Sequence, residues 1–136
     1  MKYLLDTNVC IAMINGTSEN VRSRFAQAAR RGATFQVSSV VLYELSYGVA
    51  KSAYPTRNAK AVAAFLGGDI AVLDFSAQDA QAAGAIRVEL ERKGKPIGEY
   101  DTLIAGQSYS RDLVLVTANT REFNRVKGLV VEDWSA

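Results

Sequence analysis

Short apolar runs alternate along the chain with longer segments whose apolar residues recur every three or four positions. The short runs predict buried strands, and the longer segments predict amphipathic helices. The predicted strands cover residues 3–5, 34–37, 70–73, 113–116 and, more briefly, 129–131. The predicted helices cover residues 9–14, 18–31, 40–51, 54–67, 77–93 and 97–109. The segment 117–124 follows the most strand-like run and is left without an assigned element.

Polar residues with capping chemistry stand where several of these helices begin. Ser18, Ser38 and Ser76 each precede a helical segment, and Pro55 lies in the first turn of another. Alternation of strands and helices predicts an α/β fold with a central, mostly parallel sheet of four to five strands and helices on both faces. We see no repeat or linker that divides the chain, so we expect one domain over residues 1–136.

The composition restricts the possible chemistry. The chain has no histidine, which excludes a Ser-His-Asp triad, a histidine base and histidine-bound zinc. Its single cysteine, Cys10, cannot form an internal disulfide and is expected to be a small core residue. The formal net charge is +2. No apolar run has membrane-spanning length and no signal peptide opens the chain, so we expect a cytoplasmic protein without membrane contact.

Four acidic residues lie where charge is unexpected or where ligands commonly bind. Asp6 ends the first strand, Glu44 lies in a mostly apolar helix, Asp101 opens another apolar helix, and Glu122 follows the fourth strand. Each has a simpler explanation. Asp6 or Asn8 caps a helix, Asp101 caps another, Glu44 pairs with a basic neighbour, and Glu122 is a solvated loop charge.

If these acids converge, their mutual repulsion requires a cation among them. Carboxylates without soft ligands favour a hard divalent ion such as Mg²⁺, with Mn²⁺ as a further possibility. Such a site suits phosphoryl or phosphodiester chemistry, because the ion activates water and polarises the phosphate. Thr117, Asn119 and Ser38 are predicted to supply secondary polar contacts.

Basic and aromatic residues flank the same segments. The basic residues fall into three groups, of which the last two surround the acidic positions and are candidates for binding phosphates. These groups are Arg22, Arg24, Arg30 and Arg31; Arg87, Arg92, Lys93 and Lys95; and Arg121, Arg125 and Lys127. The nearby aromatic residues are mainly expected in the core, with one or two available to stack on unpaired bases. They are Tyr43, Tyr47, Tyr100 and Phe123.

Four segments, LLDTNVCI, SSVVLYELSYGVAKS, GKPIGEYDTLIAG and LVTANTREFNRVKGLVVEDW, resemble PIN-domain proteins and specifically the VapC toxins of bacterial toxin–antitoxin modules. The resemblance implies a Mg²⁺- or Mn²⁺-dependent endoribonuclease. It also implies that Asp6 and Asp101 are the main metal ligands, with Glu44 binding directly or through water. Many PIN domains have Asp where this chain has Asn119, and the NTREF form of the motif suggests Glu122 as the fourth acid.

The resemblance to enteric-type VapC implies cleavage of initiator tRNA in the anticodon region, which leaves a 5′-phosphate and a 3′-hydroxyl. It further implies a VapB-type antitoxin, a homodimer, larger complexes with the antitoxin, and DNA contact only through the antitoxin. Two alternatives remain at this point. One is a phosphatase with Asp6 as nucleophile, although Asn8 replaces the second Asp of that signature. The other is a non-catalytic acidic module that binds a basic peptide.

Overall fold

Five parallel strands form one sheet in the computed structural model, which describes residues 1–136. The strand order across the sheet is β3-β2-β1-β4-β5, so the first strand lies in the centre. The α/β prediction and the upper estimate of five strands are therefore confirmed. The strands are β1 (Lys2–Leu5), β2 (Thr34–Ser38), β3 (Ile70–Leu73), β4 (Val114–Val116) and β5 (Val131–Glu132).

Seven helices connect the strands, and six of them were predicted from the sequence. Ser18 and Ser38 accept hydrogen bonds from backbone N–H groups of the helices that they precede, and Ser76 forms a reciprocal capping box with Asp79. None of the helices is long and apolar enough to cross a membrane. The helices are α1 (Thr7–Asn15), α2 (Glu19–Arg30), α3 (Ser39–Lys51), α4 (Pro55–Leu66), α5 (Ala77–Arg92), α6 (Glu99–Ser110) and α7 (Thr120–Phe123).

Burial of the central strands shows that both faces of the sheet are covered. Successive strand residues point to opposite faces, yet Tyr3, Leu4 and Leu5 are all buried, as is every residue of β4. Cys10 lies in the same core and is fully buried, as predicted. The outer strand β3 differs from the prediction of a buried strand, because Ala71 and Val72 are exposed at the edge of the sheet.

The register of the two central strands positions the functional end of the sheet. Leu5 of β1 pairs with Val116 of β4, so the next residues, Asp6 and Thr117, leave the sheet side by side. The Asp6 amide donates to the Val116 carbonyl at 3.0 Å, which continues the ladder by one further bond. In open α/β sheets, ligands bind beyond the carboxyl ends of the strands.

An ion pair between the buried Asp79 and the partly exposed Arg111 joins α5 to the residue that follows α6. Asp79 is fully buried, and Arg111 Nη2 approaches its Oδ2 at 3.0 Å. Burial by itself raises the pKa of Asp79, but hydrogen bonds from Arg111, Ser110 and Ser76 outweigh it and lower the pKa to about 2. Sequence reasoning placed Asp79 in the first turn of a helix, where it suits the dipole, and missed this partner.

Candidate active site

Asp6 is fixed at the start of α1 by two hydrogen bonds. The Thr7 amide donates to Asp6 Oδ1 at 2.8 Å, and the Thr117 hydroxyl donates to Asp6 Oδ2 at 2.8 Å. Asp6 is only 8% exposed. Burial raises its pKa above the ordinary value, and the bonds from Thr117 and Thr7 act in the opposite direction. Asp6 therefore caps α1 and also lies at the carboxyl end of β1.

Glu44 approaches Asp6 from α3. The Thr7 hydroxyl donates to Glu44 Oε1 at 2.9 Å, so Thr7 contacts Asp6 through its amide and Glu44 through its side chain. Glu44 makes no salt bridge, so the simpler explanation that it pairs with a basic neighbour is wrong. Sequence reasoning did not assign Thr7 to the site. Its position directly after a strand-terminal Asp was the available signal.

Asn119 connects the two remaining acids. Its Nδ2 donates to Glu122 Oε2 at 3.0 Å and approaches Asp101 Oδ2 at 3.5 Å. Gly98, not Asp101, is the N-cap of α6, so Asp101 is not the helix cap. Glu122 lies in the short helix α7 and is half-buried, so it is not a solvated loop charge. Asn119 therefore lies between both acids, as the prediction of a secondary polar contact expected.

The charges of the four acids act on one another. Burial raises the pKa of Asp101 from an ordinary value of 3.8, and the charges of Asp6, Glu122 and Glu44 raise it further, to about 6. The structure thus brings all four predicted acids into electrostatic contact. They lie directly after β1, within α3, in the first turn of α6 and in α7, which are distant in sequence and meet near the carboxyl end of the sheet.

The donor set fits a hard divalent cation, but the side chains are not already grouped around one point. No three carboxylates form a ready-made metal-binding group. Thr7, Thr117 and Asn119 instead hold individual acids by hydrogen bonds. The negative charge that raises the pKa of Asp101 is what a cation neutralises. Carboxylate and amide oxygens are the ligands that such cations prefer.

Two predicted contributors have other roles. Ser38 is fully buried, and its hydroxyl accepts from the Val40 amide at 3.1 Å as the cap of α3, with no recorded bond to the acids. Phe123 is fully buried in the core and has no face available for stacking. Tyr43, Tyr47 and Tyr100 are exposed, contrary to the expectation that most of these aromatic residues lie in the core.

Several of the basic residues near the acids are engaged locally. Arg87 pairs with Glu91, and Lys93 pairs with Glu89, each across one turn of α5. Arg125 donates to the Pro96 carbonyl at 3.0 Å, which ties the segment after α7 to the loop before α6.

Comparison with known proteins identifies the family. A model of the PIN domain matches residues 3–129. The chain belongs to the PIN-domain family. It is 46% identical to the tRNA(fMet)-specific endonuclease VapC of Salmonella typhimurium, over 98% of both chains. It is 47% identical to the protein of the same description from Shigella flexneri, over 99% of both chains.

A solved structure supports the same assignment. The PIN-domain chain superimposes with a TM-score of 0.91 on a structure described as VapBC2 from Rickettsia felis bound to a DNA fragment from their promoter. The two chains are 38% identical, and the match covers 98% of this chain and 99% of the other. The resemblance to VapC proteins is confirmed. PIN-domain ribonucleases generally depend on a divalent metal.

Proposed function

We propose that this PIN-domain protein is the toxin of a type II toxin–antitoxin system and acts as a Mg²⁺-dependent endoribonuclease. The observation that carries the proposal is the meeting of four carboxylates at the carboxyl end of the sheet, in a chain of this family. Residues 1–136 then act as one PIN domain. A cytoplasmic location follows from an RNA substrate.

Asp6, Asp101 and Glu44 would hold the metal, and Glu122 would complete the acidic set beside Asn119. A bound Mg²⁺ or Mn²⁺ supplies activation of the attacking water and neutralises charge on the phosphate. The raised pKa of Asp101 supports this assignment, because a cation relieves the repulsion that disfavours its charged form.

The neighbouring polar residues orient the acids. Asp6 Oδ2 accepts a hydrogen bond from the Thr117 hydroxyl, and Oδ1 accepts one from the Thr7 amide, so both oxygens are held in place. The Thr7 hydroxyl holds Glu44, and the Asn119 amide holds Glu122. Because the chain has no histidine and Asp101 is proposed as a metal ligand, proton transfer falls to water.

We propose initiator tRNA as the substrate, cut in the anticodon region to leave a 5′-phosphate and a 3′-hydroxyl. The support is near-full-length similarity to two proteins named tRNA(fMet)-specific endonucleases. The proposed partner is a VapB-type antitoxin, as in the similar VapBC2 complex. A homodimer, larger complexes with the antitoxin, and DNA contact only through the antitoxin complete the proposal.

The two alternatives have less support. A phosphatase with Asp6 as nucleophile is disfavoured because Asn8 leaves that signature without its second acid. A purely peptide-binding module has no support among the similar proteins, which are named as ribonucleases or endonucleases.

Cleavage of initiator tRNA by protein free of antitoxin tests the function. We expect discrete fragments with Mg²⁺, none with EDTA, and roughly a 100-fold or greater loss of rate for Asp101→Asn, since even residues that only orient metal ligands cost 10- to 100-fold. Glu99→Gln is the matched control, because it removes an exposed acid from the same turn of α6. Equal cutting by Asp101→Asn and wild type would contradict the assignment.

A further inference from the structure

Three exposed tyrosines lie beside the acidic site. Tyr43 and Tyr47 belong to α3, and Tyr100 belongs to α6. Tyr43 immediately precedes Glu44, and Tyr100 immediately precedes Asp101. Their exposed fractions are 55%, 59% and 48% in numerical order. Large aromatic side chains contribute most when buried, so an exposed group of them next to a catalytic site indicates a binding surface.

The tyrosines form a continuous track with one lysine. The ring centroids of Tyr43 and Tyr100 are 5.8 Å apart at an angle of 43°, and their hydroxyl oxygens are 3.4 Å apart. Lys51 Nζ lies 4.7 Å from the centroid of the Tyr47 ring. Positions four apart share one helix face, so Tyr43, Tyr47 and Lys51 extend roughly 12 Å along α3. We name Tyr100, Tyr43, Tyr47 and Lys51 the tyrosine track.

This combination matches the chemistry of unpaired RNA. Aromatic rings stack on bases of any sequence, and a neighbouring cation attracts the phosphates that join them. The three tyrosines remain about half exposed, which leaves part of each ring surface available for stacking. Tyr43 and Tyr100 adjoin Glu44 and Asp101 in the chain and contact each other, so this end of the track lies next to the helical turns that carry these two acids.

We propose that the tyrosine track binds the unpaired nucleotides next to the scissile phosphate. The Tyr43–Tyr100 pair holds the base nearest the cut, Tyr47 stacks on the next base, and Lys51 contacts a phosphate. This inference rests on the proposed ribonuclease function and adds how a single-stranded loop is selected. A double helix keeps its bases stacked internally and offers none to the track.

A second copy of the chain is the competing occupant of this surface. Tyrosine is common in protein interfaces, but lysine is depleted there. Lys51 forms no salt bridge and lies over the Tyr47 ring, where its charge is available to an anionic partner. Charge complementarity and continuity with the acidic site therefore favour RNA.

The test measures binding separately from cleavage. Affinity for a labelled single-stranded RNA that contains the mapped cleavage site is measured in EDTA, and kcat and KM are measured in Mg²⁺. We expect Tyr43→Ala and Tyr47→Ala each to weaken binding roughly 5- to 100-fold and to act mainly on KM. Tyr43→Phe retains the ring and should bind nearly as well as wild type. Tyr109→Ala is the control, because Tyr109 is 53% exposed at the far end of α6.

Abasic substitution in the RNA identifies the stacked positions. Nucleotides around the cut are replaced one at a time by abasic ones, and each RNA is tested with wild type and Tyr43→Ala. If a base stacks on Tyr43, its removal weakens binding by wild type but has little additional effect on the variant. Full additivity at every position would contradict stacking on Tyr43.

The outcomes separate the two proposals. Wild type that neither cuts nor binds RNA overturns both. Wild type that cuts, with track variants indistinguishable from Tyr109→Ala, overturns the track and leaves the nuclease in place. If sedimentation shows that track variants shift the monomer–dimer equilibrium while RNA affinity is unchanged, the surface belongs to a second copy.

Discussion

At the level of single residues, the charged form of Asp101 lowers the stability of the metal-free protein. Its carboxyl is half-buried near three other acids, and burial and their charges raise its pKa to about 6. In the unfolded chain its pKa is close to the ordinary 3.8. The folded state therefore binds more protons than the unfolded state between these values. Without a cation, stability is lost as pH rises through this window.

We therefore expect Asp101→Asn to stabilise the metal-free protein at neutral pH. In EDTA at pH 7.5, the free energy of unfolding should rise by about 1–3 kcal/mol, because the amide removes a charge that the fold disfavours. Near pH 4 the difference should shrink to a few tenths of a kcal/mol. Urea unfolding at both pH values measures this. Glu99→Gln, with its exposed carboxyl, is the control and should show no comparable gain.

An Asp101→Asn variant no more stable than wild type at pH 7.5 would show that the four acids do not repel one another as described. A gain of the same size at pH 4 and pH 7.5 would assign the effect to packing, since at pH 4 the Asp101 carboxyl is protonated in the folded state and carries no charge to be repelled.

The same site shows which residues can be predicted from sequence. The four acids were found because a carboxylate at a strand end or in an apolar helix is conspicuous. Their orienting partners were found only in part: Thr117 and Asn119 follow a strong strand, whereas Thr7 acts on Glu44 across 37 positions of the chain. The Asp79–Arg111 pair was missed for the same reason, because its two residues are 32 positions apart.

At the level of elements, helices α5 and α6 pack closely because Gly106 has no side chain. A Cβ built on Gly106 of α6 would lie 2.6 Å from Ala83 Cβ and 2.7 Å from the Ala83 backbone on α5. Backbone cannot rotate away as a side chain can. The two helices can therefore approach this closely only with glycine at position 106.

Gly106→Ala should destabilise the protein, while a neighbouring glycine should tolerate the same change. We expect Gly106→Ala to cost about 1–3 kcal/mol or more, since the helices must separate. Gly84→Ala on α5 is the matched control, because nothing lies within 4 Å of its added Cβ. In a helix interior that change should stabilise by about 0.5–1 kcal/mol. Thermal unfolding of both variants checks the prediction, and equal effects would contradict it.

Most elements were predicted because their apolar spacing and caps agree. Ser18, Ser38 and Ser76 precede α2, α3 and α5 as the sequence indicated. The four-residue helix α7 was missed, since one turn is too short to show a helical period. The exposure of β3 was also missed. An apolar run indicates a strand, but its place at the sheet edge depends on pairing order, which is a property of the whole fold.

At the scale of the molecule, the strand order brings segments that are distant in sequence together at the acidic site. The acids come from positions 6, 44, 101 and 122, and the central strands β1 and β4 bring the first and last of these segments together. Each of the four segments contributes negative charge to one region. An ion bound there would link the two halves of the chain through the carboxyl end of the sheet.

Divalent metal should therefore stabilise the whole fold by an amount that grows with the logarithm of the metal concentration above Kd. At a Mg²⁺ or Mn²⁺ concentration 100 times Kd, we expect about 2.7 kcal/mol of added stability in wild type. Asp101→Asn should gain little stability from the metal. Wild type should therefore become the more stable protein in metal, whereas the variant is the more stable one in EDTA. Amide hydrogen exchange should show added protection at the starts of α1 and α6 and in α7, and also at core amides that exchange only through global unfolding, since the bound ion raises the free energy of that unfolding. Equal stabilisation of the variant, or protection confined to one segment, would show that the metal binds elsewhere.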